Sequence, residues 1–285
     1  MGNVRWHDRP KLRRPVLVAA FEGWNDAADA ATSAARFLRD HWAARHFAEI
    51  DPETFYDFSA TRPQVRLVDG LTREIVWPAN ELFAASLPGG EHDVVVLLGV
   101  EPGLQWRTFC TEVVDVGRDL GVELFITLGA LLADVPHTRP VRVTGTAADP
   151  ELVQRLGLQR SRYEGPTGIV GVLHDAFAKA HVPSASLWAA VPHYVAATPS
   201  PKATLALVER AVELLGASVP TTALEIAAAS YERQVSEVVE SDDDVSDYVH
   251  RLEESSDDGE DEELELPTGD ELGAEFERFL REQGD

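Results

Sequence analysis

Short apolar runs recur along the chain, each closing on Gly, Pro or an acidic residue and most leading into a stretch of helical period. They predict strands at Val16 to Phe21, Asp93 to Val100, Glu123 to Leu128, Val141 to Thr146 and Ser186 to Val191. A hairpin-like pair is expected at Gln64 to Val68 and Thr72 to Trp77. The runs are nearly continuous rather than alternating, the pattern of strands buried on both faces. Helical spacing predicts helices at Asp26 to Arg45, Arg107 to Leu120, Pro150 to Leu156, Gly168 to Ala180, Pro201 to Leu215 and Thr221 to Val239. The alternation reads as an α/β fold of three layers, with a largely parallel or mixed central sheet flanked by helices.

No internal repeat and no Gly/Ser linker divides the body, so a single domain is expected over residues 15–239, preceded by a polar arm, 1–14. Residues 240–263 carry 13 acids and one base, too charged for a core, so 240–267 is expected to be a flexible or loosely helical connector. Beyond it Leu272, Phe276, Phe279 and Leu280 recur at i, i+4, i+7 and i+8, one apolar stripe on a helix over 268–285 that Asp270 could cap. Such a stripe needs a surface to cover it, on its own body, a sister subunit or another protein.

Charge sharpens this division. Of a net −24, residues 236–285 supply −18 (21 acids, three bases), which leaves −6 for residues 1–235. Nucleic acid and anionic lipid are poor partners for such a chain, because binding either relies on Lys and Arg. No apolar run approaches the roughly 18 residues of a membrane span, and the start has no signal-peptide core, so a cytoplasmic address is expected. A single cysteine, Cys110, excludes an internal disulfide and a thiolate cluster.

Candidate chemistry gathers at predicted strand ends, the edge where open α/β sheets bind ligands. Phe21-Glu22-Gly23-Trp24-Asn25-Asp26 closes the first strand and Leu98-Gly99-Val100-Glu101-Pro102 the next. Glu22 and Glu101 could share one rim as acid and base, or could cap helix amides. The loop Asp134-Val135-Pro136-His137-Thr138-Arg139 offers Asp134 and His137 as further catalytic candidates and Arg139 as an anion contact, or is a packed turn. Gly165-Pro166-Thr167-Gly168 leads into a helix, where Thr167 and Gly168 could receive an anion on free amides. No lysine follows it, so it is not a Walker loop. A Gly-x-Ser-x-Gly elbow, a His-x-x-x-His pair and a dinucleotide fingerprint are all lacking, and no metal or cofactor is expected.

In their order, Phe21 to Ala27, Gly99 to Pro102 with Trp106, Gly129 to Pro140 and Tyr163 to Gly168 resemble the proteasome assembly chaperone 2 family, in its bacterial, actinobacterial-like branch. The resemblance spans about residues 15–235. It implies a fold like that of purine nucleoside phosphorylase, self-association with a trimer as one form, and a proteasome-related protein partner. It implies an assembly factor rather than an enzyme. The alternative is a small-molecule enzyme built on the carboxylate rim, since some bacterial members carry labels of ATP-grasp or carboxylate-amine ligase. With only Lys11, Lys179 and Lys202 in the chain, phosphate-holding lysines on strands are lacking. The final residues, Arg281 to Asp285, hold no hydrophobic-Tyr-any tripeptide, so the relatives' pocket-docking mechanism does not transfer.

Overall fold

The run after Pro15 becomes the central strand of the protein, and every residue from Val16 to Phe21 is at most 1% exposed. The structure, a computed structural model, describes residues 2–87, 90–161 and 163–258. In chain order the elements are β1 (Val4–Trp6), β2 (Val16–Glu22), α1 (Ala30–His41), β3 (Arg45–Ile50), β4 (Gln64–Val68), β5 (Thr72–Val76), β6 (Asn80–Ala85), β7 (Val94–Val100), α2 (Trp106–Leu120) and β8 (Leu124–Ala133). They continue with β9 (Val143–Ala147), α3 (Pro150–Leu156), β10 (Gln159–Arg160), α4 (Ile169–Lys179), β11 (Ser184–Pro192), α5 (Pro201–Leu215), α6 (Thr222–Val239) and α7 (Asp243–Asp258).

Nine strands make one mixed sheet in the order β1-β3-β6-β7-β2-β8-β11-β9-β10, and β4 with β5 forms a separate hairpin. The core strands β7, β2, β8 and β11 run parallel, while β6 and β9 flank them antiparallel. Alternate residues of β2 feed opposite faces. Val16, Val18 and Ala20 pack with Ala31, Ala35 and Leu38 of α1 and with Leu207 and Val208 of α5. Leu17, Ala19 and Phe21 pack with Phe109 and Val113 of α2 and Leu173 and Phe177 of α4. Two helical layers on one sheet explain why β2 has no polar position from Val16 to Phe21, before Glu22 emerges at its end.

Sequence periodicity missed four short strands. The arm contains β1, which pairs antiparallel with β3 from Val4 against Ile50 to Trp6 against Ala48. The strand β3, whose start fell at the end of a predicted helix, reads Arg-His-Phe-Ala-Glu-Ile, without an apolar run. In β6 and β10 the signal is equally slight. Conversely, α1 begins four residues later than its periodicity implies, because Ala28 and Asp29 take left-handed backbone angles, φ 51° and 53°.

Within the acidic segment, residues 243–258 form α7. Val249 is 4% exposed and joins Tyr231, Val235 and Val239 of α6 in a small cluster against Tyr194 and Val195. Its acids are partly neutralised by the body: Arg139 donates to Asp257 at 2.8 and 2.6 Å. Among the described residues no helix is long and apolar enough to cross a membrane.

Candidate functional site

Consecutive crossovers leave β2 in opposite directions, with β7 on one side and β8 on the other, so the sheet's switch point lies at the carboxyl ends of these strands. The motif after Phe21 sits there. Its backbone is locked to β8: Ala130 donates to the Asn25 carbonyl at 2.9 Å, and Asp26 bridges to Ala130. The Asp26 carboxylate accepts from the amides of Ala31 and Thr32 at 2.7 and 3.0 Å and from the Thr32 hydroxyl, capping α1 across the intervening turn. Burial pushes the Asp26 carboxyl up to about 6 in spite of these bonds.

The two expected rim carboxylates are neighbours through the backbone, since Glu101 donates its amide to the Glu22 carbonyl at 2.9 Å. Their side chains diverge. Glu22 stands half exposed and pairs with Arg36 of α1. Glu101 turns inward and accepts from the Ile169 amide at 2.7 Å, with the Asn25 side-chain amide at 3.5 Å. Burial raises its carboxyl above the ordinary range, opposed by hydrogen bonds from the Ile169 and Trp24 amides. The α4 N-terminus, where an outside anion was expected, thus receives one of the chain's own carboxylates. Gly168 makes room for it: a Cβ there would stand 2.7 Å from both Glu101 Oε1 and Asn25 Nδ2.

The remaining candidates serve a second region. His137 is 2% exposed; its amide and Nδ1 meet the Tyr194 hydroxyl at 2.7 and 2.8 Å, and Nε2 lies 3.0 Å from Ser236 Oγ of α6. Burial, with the Lys202 charge beside it, lowers its pKa. Asp134 accepts from the Tyr248 hydroxyl at 3.2 Å and stands 3.0 Å from His193 Nδ1, out of hydrogen-bond alignment. Thr138 pairs with Glu253, as Arg139 does with Asp257. This loop is a clasp for α6 and α7.

Between the switch point and α4 opens a cavity of about 1180 Å³, lined by Gly23 to Asp29, Thr167, Gly168 and the α4-facing side of β9 and β11. Its floor was not anticipated. Thr146 and Ser186 pair at 2.8 Å, Trp188 Nε1 donates to Ser186 at 3.1 Å, and His174, also on the lining, is paired through Nε2 with the buried Thr127 at 2.9 Å. Ser184, Ser186 and Trp188, alternating on an otherwise apolar strand, were the available signal. Gly129 admits the Trp188 ring, which a Cβ would meet at 2.6 Å.

For a metal, one group of described residues brings ligand atoms within 4.8 Å of one another: His7, His46 and Glu49, on the β1–β3 edge far from the switch point.

The PAC2 family model matches residues 20–239. A PAC2 family protein of Streptomyces avermitilis is 47% identical, with a TM-score of 0.77 over 82% of this chain and 99% of that one. A Mycobacterium tuberculosis proteasome-assembly chaperone homologue is 48% identical, with a TM-score of 0.75 over 82% of this chain and 99% of that one. At 19% identity, the archaeal proteasome activator PbaB of Pyrococcus furiosus shares the fold, with a TM-score of 0.68 over 82% of this chain and 97% of its own. No curated protein matches. With its locked strand-end motifs in place and the family model covering more than half its length, the chain belongs to the PAC2 family.

Proposed function

We propose that this chain is a homo-oligomeric protein-binding factor of the proteasome-assembly chaperone kind, working by contact rather than by catalysis. The observation that carries this reading is the β4–β5 hairpin. Val65 pairs with Ile75 and Leu67 with Arg73, so these side chains share one face with Trp77. Val65, Leu67, Ile75 and Trp77 are 59, 58, 50 and 49% exposed, and Leu71 at the turn is 88% exposed. An isolated two-stranded sheet is marginal in water, and an exposed apolar patch marks an interaction surface. The contacts of Glu101, His137 and Arg139 support the same reading, since each holds secondary structure together. The proteasome as partner rests on the Mycobacterium tuberculosis relative. Leu272, Phe276, Phe279 and Leu280, the expected partner stripe, lie outside the described residues; in this reading they form a second contact.

The test uses the purified full chain with purified proteasome α-type subunits from the same organism. Light scattering after size exclusion is expected to give a multimer that co-elutes with those subunits. The double variant Leu67→Glu, Ile75→Glu, altered only on exposed positions, is expected to keep its melting temperature within about 2 °C and lose one or both associations. A chain ended at Asp258 tests the terminal stripe separately. A wild-type monomer that binds no α-subunit overturns the proposal.

A further inference from the structure

The cavity beside α4 has no part in the protein-binding reading, yet its lining is organised as a binding site. At about 1180 Å³ it reaches past the roughly 300–1,000 Å³ of ordinary small-molecule pockets. Its charged residues are at the mouth, where Asp29, Arg160 and Asp175 are exposed. Asp26, deeper in, has its carboxylate engaged by α1. The floor groups are uncharged: the hydroxyls of Thr146 and Ser186, the Trp188 indole and the His174 imidazole.

Hydrogen-bond counting shows spare capacity. A hydroxyl has one proton to donate. In the Thr146–Ser186 pair, whichever oxygen donates, the other hydroxyl's proton is unused within the pair, and both residues are buried, at 7 and 6% exposure. The Trp188 N–H, aimed at Ser186, adds a donor and consumes only an acceptor position. The floor therefore presents a buried donor to whatever enters. Above it the walls are aromatic, with Trp24, Tyr163 and Tyr194 around the same space. Flat π-faces around neutral hydrogen-bonding groups favour a planar ring with polar substituents, and burying a net charge among them would be costly.

We propose that this cavity binds an uncharged ligand in which a planar heteroaromatic ring carries a polar, hydroxyl- or amide-bearing part. The ring lies among Trp24, Tyr163 and Trp188, and the polar part meets Thr146 and Ser186. His174 supports the neutral class: burial lowers its pKa to about 4, so the floor stays uncharged through the physiological range.

The test is titration of the full chain with two neutral probes, adenosine and N-acetyltryptophanamide, and their charged counterparts, adenosine monophosphate and free tryptophan. Binding is read by saturation-transfer NMR and calorimetry. At least one neutral probe is expected to saturate, at least 10-fold tighter than its counterpart. The blocking variant is Ala178→Trp, at an exposed α4 position on the cavity wall. It is expected to keep the melting temperature and weaken binding at least 10-fold, and Thr146→Val to weaken it less. Lack of saturation by either neutral probe, charged counterparts that bind as well, or unchanged affinity in Ala178→Trp each overturns the proposal.

Discussion

At the scale of single residues, the strand-end motif shows how one carboxylate can look catalytic and be structural. Glu101 joins β7 to α4, while Asp26 joins the β2 turn to α1. The sign of the Asp26 shift yields a test. Its folded pKa of about 6 is above the ordinary aspartate value of 3.8, so the folded state binds more protons between these values. Its contribution to stability is fully present below about pH 4 and is lost as pH rises through about 6. The loss is at most about 3 kcal/mol. Asp26→Asn keeps an oxygen for the cap but cannot ionise. The wild type's stability, measured by urea unfolding relative to that variant, is expected to fall between pH 4 and 6.5 and then level off. A difference independent of pH would show that Asp26 is not held in a desolvated site. His174 and His137 act in the opposite direction, since a lowered pKa removes stability as pH falls below about 6.5; comparison with Asp26→Asn cancels their effect.

At the scale of elements, β2 is the informative strand. Leu17 and Val18 are sequence neighbours that enter opposite clusters, one under α2 and α4, the other under α1 and α5. In a half-exposed strand only one of two neighbours is costly to truncate. Here Leu17→Ala and Val18→Ala are each expected to lower unfolding free energy by about 2–4 kcal/mol in chemical denaturation. A Val18→Ala variant as stable as wild type would contradict the two-sided burial. The element boundaries read from sequence were good where the apolar run was long, as in β2 and β7, and where Pro and Gly punctuated it, as with Pro201 at the start of α5 and Gly216 beyond its end. They failed at β1, β3, β6 and β10, where two to six residues, mixed in polarity, become strands only because a neighbour offers its ladder.

At the scale of the whole molecule, charge and fold divide the chain at different places. The acidic excess starts near residue 236, yet the packed structure continues through α7. That helix is retained by the small cluster around Val249, with solvent-screened ion pairs at Arg139 adding little. A chain ended at Ser241 discards 19 acids and three bases, taking the net charge from −24 to −8. It is expected to keep the sheet, with the same strand signals in circular dichroism, while hydrogen exchange quickens over residues 134–140 and 193–195. Global unfolding of that chain would mean that α7 is part of the core instead of an addition to it.

The amino-acid sequence by itself determined the α/β class, the two-sided burial of the long apolar strands, the position of Glu22 and of Glu101 each at the end of a strand and the acidity of the C-terminal part. These follow from local periodicity and composition, which need no knowledge of what lies across space. Tertiary structure alone decided which way each carboxylate turns, that His137 and Arg139 clasp α6 and α7, and that hydroxyls on β9 and β11 meet in one cavity. Those outcomes depend on pairings between residues 14 to 118 positions apart, such as Glu22 with Arg36, Thr146 with Ser186 and Arg139 with Asp257. Hydrogen bonds at that separation are set by sheet order and helix packing, and sheet order is not written in any single segment.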